Sequence, residues 1–113
     1  MTTLTETAYR IRTAAAARGI EAAGPIGREW SRGADHGAGR GVEAEVLRLA
    51  LVLGLVDGFL NQARHVLLHR AHPWHEAPVE TADQDPHTQA GFGQAYAVRA
   101  AIGALLDEAL AAV

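Results

Sequence analysis

The chain has no cysteine, no lysine, a single methionine, a single serine and only six aromatic residues. Without cysteine there are no disulfides, iron–sulfur clusters, thiolate zinc sites or cysteine nucleophiles. A serine–histidine–acid triad is conceivable only through Ser31. No apolar run reaches the ~18 residues of a membrane span. The greasiest stretch, Leu49 to Val56, is bounded by Arg48 and Asp57 and reads as part of a core helix. Period-two alternation with β-branched enrichment is missing throughout, so no strand is expected. Met1 to Thr7 lacks a basic patch followed by an apolar stretch, so no signal peptide is expected and a cytoplasmic location is. The net charge of −3 gives no global field favouring DNA or RNA. Arginine in place of lysine, with heavy alanine and glycine usage, is what GC-rich, actinobacterial-like coding produces.

What is present is helical, and the length suits one domain. Thr3 and Glu6 fit a capping box ahead of a first helix over about 4–18, with Leu4, Ala8, Ile11 and Ala15 on one side. Gly19 is a possible end for it, and Gly24-Pro25 a firm one. A short helix is expected over 26–32, then a glycine-rich connector to Gly41. A long central helix is expected over 42–72, terminated by Pro73. At about 45 Å it exceeds a compact globule of this size, so it must break or protrude. Gly54 and Gly58 mark the place for a kink or a close crossing. An acidic, proline-containing loop over 73–85 leads to Asp85-Pro86, a helix start, and a last helix over 86–112. Its apolar positions form two rows, as for a helix between two neighbours. The expected fold is all-α: an up-and-down bundle of three main helices plus a short one. Its small residues Gly54, Gly58, Gly91, Gly93 and Gly103 suit a homodimer with a shared core.

The candidate chemistry lies on the central helix. Asp57, Asn61, His65, His69 and His72 follow at spacings of four, four, four and three, which places neighbouring members on one side. His65, His69 and His72 are the candidate ligands of a divalent transition metal, since imidazoles at i and i+4 can hold one ion. Asp57 with His65 is the candidate acid–base pair, the carboxylate fixing the imidazole tautomer. Asn61, His72, Trp74 and Tyr96 are the candidate contacts to a small polar ligand. The same polar row also suits a buried network that merely fixes helix register. Glu76, Glu80, Asp83 and Asp85 follow the histidines closely, and facing them would make those histidines hold protons more tightly.

Arg64-His65-Val66-Leu67-Leu68-His69 resembles the Arg-x4-His motif of HEPN domains, small all-helical dimers of which many are ribonucleases of toxin systems. The resemblance covers six residues. It implies Arg64 and His69 as a catalytic pair, His65 as their polar neighbour and RNA as the substrate. Three functions therefore stand open: a metal- or ligand-binding protein with possible acid–base chemistry, a non-enzymatic dimeric interaction protein, and a HEPN-like ribonuclease.

Overall fold

The computed structural model describes residues 3–33, 40–69 and 79–113. Within them the chain forms four α-helices and no strand: α1 (Leu4–Arg18), α2 (Ile20–Gly33), α3 (Arg40–His69) and α4 (Pro86–Ala112). A 3-10 turn, Ala82–Gln84, precedes α4.

Thr3 caps α1, its Oγ1 accepting from the Glu6 N–H at 3.1 Å. Gly19 ends α1 in the left-handed region at φ 80° and donates its N–H to the Ala15 carbonyl at 2.9 Å. The Gly19 carbonyl in turn accepts from Ala22 and Ala23, so one residue closes α1 and opens α2. The second helix accordingly begins well before 26 and runs through Gly24-Pro25, which the sequence marks as a break. Pro25 sits on the exposed side of α2. There, water can satisfy the carbonyl that proline leaves unpaired. The opposite side of α2 presents Ala23, Ile26 and Trp30 to the core, and that packing holds the helix together.

α3 is one continuous helix of 30 residues, about 45 Å long. It meets the length conflict by protruding. The radius of gyration is 17.7 Å and the principal extents are 60 × 25 × 16 Å, against roughly 13 Å for the radius of gyration of a compact chain of this length. The core joins Ala8, Ile11 and Ala15 of α1 and Ala23 of α2 to Val46, Leu47, Ala50 and Leu53 of α3 and Leu106 of α4. It therefore surrounds the first half of α3, and the second half extends beyond it.

Gly54 and Gly58 make a close crossing rather than a break. A Cβ on Gly54 would stand 2.8 Å from Ala15 Cβ and strike the Arg12 carbonyl, and one on Gly58 would stand 2.6 Å from the Ala16 carbonyl oxygen. These two glycines thus serve contact within the chain. Gly91 and Gly93 of α4 have open space around them.

α4 packs chiefly on α3 and on the 3-10 turn. Asp85 caps it, accepting from the His87 N–H at 3.1 Å and the Thr88 hydroxyl at 3.2 Å. Ile102, Leu106, Ala109 and Leu110 face the core, while Val98 and Leu105 are 59% and 57% exposed. Only part of the two-row apolar pattern has an intramolecular partner.

Candidate functional site

Asp57 is where three helices meet. Its carboxylate is 16% exposed. One oxygen accepts from Arg12 Nε of α1 at 3.2 Å, and the other from Arg99 Nε of α4 in a very short contact. The close crossing explains the first bond: with no side chains at Gly54 and Gly58, α1 lies near enough for Arg12 to reach across. Arg99 lies on the core side of α4, between Phe92 and Leu106. Its hydrogen bond to Asp57, then the charge of that carboxylate, holds its guanidinium above the ordinary arginine range.

The rest of the polar row behaves differently, for a geometric reason. Each step of four residues advances 400° around an α-helix, so a row at i+4 rotates by about 40° per step. Between Asp57 and His69 the row turns by about 120°. It starts at the core and ends in water: Asn61, His65 and His69 are all exposed. His65 is rotated about 80° from Asp57, whose oxygens are both engaged by arginines. The His65 and His69 rings lie 4.6 Å apart, tilted by 45°. Among the described residues, no group of three or more histidines and carboxylates is placed to hold a metal ion.

Arg64 is also exposed. Five residues before His69 on an unbroken helix, it lies about 140° away around the axis, so one helix does not present the two side by side. Tyr96 is exposed, its ring 6.4 Å from that of Phe92. His72 and Trp74 lie outside the described residues, as does Glu76. Of the acids expected near the histidines, Asp85 is committed to capping α4. Ser31 donates its hydroxyl to the Gly27 carbonyl at 3.1 Å within its own helix.

A second feature lies on the opposite side of α3. Val52, Leu55, Phe59, Gln62 and Val66 repeat at three, four, three and four residues, and all are exposed, Phe59 at 71%. Arg48 before them and His69 after them extend the same spacing. Two grooves flank this outward row. One, of about 310 Å³, lies along its first half beside α2, with Trp30, Leu47 and Leu51 in its walls and Arg28 and Arg48 among its polar lining. The other, of about 410 Å³, lies along its second half beside α4 and is walled by Phe59, Ala63, Val66, Leu67 and Phe92.

Arg12 and Arg99 as partners of Asp57, and the outward row, are not among the features expected from the sequence. The signal for Arg99 was a cation inside the apolar row Phe92, Ala95, Ile102, Leu106. The signal for the outward row was its three–four spacing, hidden because the neighbouring residues of α3 are apolar as well. No helix among the described residues is long and apolar enough to cross a membrane. Comparison with known proteins returns no family model, no curated protein and no solved structure that matches the chain, so the likeness to HEPN domains rests on its six residues.

Proposed function

We propose that the protein is a non-enzymatic interaction module that works as a homodimer, with the outward row of α3 as its contact surface. The observation that carries this reading is the exposed row Val52, Leu55, Phe59, Gln62, Val66, on the side of α3 away from the core. Apolar residues at alternating spacings of three and four are what one helix buries against another, and contiguous exposed apolar surface marks an interaction site.

The surface area supports the same reading. The chain exposes 7777 Å², whereas a compact monomer of its mass exposes roughly 6,000 Å². The surplus of roughly 1,800 Å² is within what an obligate homodimer covers on each chain.

A pocket built on the polar row has less support. Asp57 serves as a structural tie, Asn61, His65 and His69 face solvent, and among the described residues no third metal-ligating group stands with the two histidines. The test is light scattering with circular dichroism. The native chain is expected to be a dimer, and Phe59→Glu a monomer of unchanged helicity. A native chain that stays monomeric at high micromolar concentration overturns the proposal.

One observation favours a second reading. The His65 and His69 rings are near enough to share one divalent transition metal. Zinc or nickel titration followed by calorimetry, with His65→Ala and His69→Ala, would show binding that either change abolishes. Binding unaffected by both would end this reading.

A further inference from the structure

We infer that the partner on the outward row of α3 is a second copy of α3 running antiparallel, in a register whose two-fold axis passes at the level of position 57. The inference rests on the homodimer reading above and adds direction and register to it.

Charge along α3 favours the antiparallel direction. Glu45 stands exposed near the start of α3, with one carboxylate oxygen held by Arg48 of the same helix at 2.6 Å, and His69 stands exposed at its end, with Arg64 and His65 nearby. Parallel pairing would set Glu45 against Glu45 and His69 against His69, and would align two helix dipoles of 30 residues each. Antiparallel pairing reverses all three: acid meets base at both ends, and the dipoles oppose.

Side-chain shape fits the same direction. In the register centred on position 57, Glu45 faces His69, Arg48 faces Val66, Val52 faces Gln62 and Leu55 faces Phe59. Each bulky residue meets a smaller or flexible one, so side chains can interdigitate. In that pairing the aliphatic stem of Arg48 would lie over Val66 while its guanidinium keeps its exposed bond to Glu45 at the rim. In a parallel register the two Phe59 rings, the largest side chains of the row, would meet each other.

The lack of native cysteine makes the test clean. Val52→Cys, Gln62→Cys and the double variant are oxidised and resolved on a non-reducing gel, after light scattering of the native chain. The double variant is expected to form a covalent dimer, and each single variant to stay uncrosslinked. Efficient cross-linking of Val52→Cys alone means a parallel pair and overturns the direction while leaving the homodimer intact. A native dimer in which the double variant does not cross-link overturns the register. A monomeric native chain overturns the homodimer itself, and the face then belongs to some other partner. An independent check is charge exchange: Glu45→Lys and His69→Glu should each weaken association, and the two together should restore it. Failure of the pair to restore it counts against the register.

Discussion

Arg12 and Arg99, on the first and last helices of the chain, hold the two oxygens of one carboxylate, Asp57. Both arginine side chains are about one-third exposed, at 34% and 35%, so water tempers what each pair is worth. The carboxylate is the more enclosed partner, and it has most to lose when left alone.

Asp57→Asn is therefore expected to destabilise the fold by about 1–3 kcal/mol, the range for hydrogen bonds to charged groups. Arg12→Ala and Arg99→Ala should each cost less, since the other arginine remains. In the double arginine variant the carboxylate is unpaired, and adding Asp57→Asn there should be neutral or stabilising. Urea unfolding of these variants checks the order. Additive losses across the set would contradict a shared carboxylate.

The glycines of α3 and α4 should respond with opposite sign. Gly54→Ala and Gly58→Ala force α1 away from α3 and should cost about 1–3 kcal/mol, Gly54 more because both Arg12 and Ala15 stand in the way. Gly91→Ala and Gly93→Ala meet nothing and should add up to about 1 kcal/mol each through helix propensity. Thermal unfolding of single variants separates the two classes, provided the oligomeric state is unchanged.

The joint between α1 and α2 offers another contrast. Gly19→Ala places a side chain at a positive φ with extended ψ, a conformation open essentially to glycine, and about 1–3 kcal/mol should be lost despite the open space around it. Pro25→Ala restores a donor inside α2 and should raise stability, by at most about 3 kcal/mol. A Pro25→Ala chain that unfolds earlier would mean that proline pre-shapes the joint.

If α3 mediates association, the melting temperature should rise with protein concentration. In Phe59→Glu it should not, and at high dilution the two chains should melt alike. A melting temperature independent of concentration in the native chain would argue against self-association.

Much of the fold was legible because helix signals are local. Thr3 and Asp85 announce helix starts by chemistry that acts within a turn. Pro25 misled because the rule that proline ends helices presumes that nothing else holds the helix. Here the packing of Ala23, Ile26 and Trp30 outweighs it, and Gly19 had already made the turn. The long helix was legible too, and so was Gly54–Gly58 as a crossing, but what crosses there depends on a contact between positions some forty residues apart. The site was harder to read. A row at i+4 looks like a face when written as text, and only its rotation takes it from the core at Asp57 to solvent at His69. The partners of Asp57 lie on other helices, and local spacing carries no information about them. The outward row was present as a pattern, but spacing alone does not distinguish a buried apolar row from an exposed one.

The one-residue link at Gly19 has a consequence for how the molecule opens. α2 leans chiefly on α1 and touches α3 in few places, while the Asp57 tie joins α1, α3 and α4 and leaves α2 out. Opening α2 would break neither that tie nor the glycine crossing. The chain is thus a firm three-helix frame carrying a hinged flap, and backbone amides of α2 should exchange with solvent well before those around Leu53. A flap of this kind would uncover Leu47 and Leu51 as it swings, widening the surface of α3 without unfolding the frame.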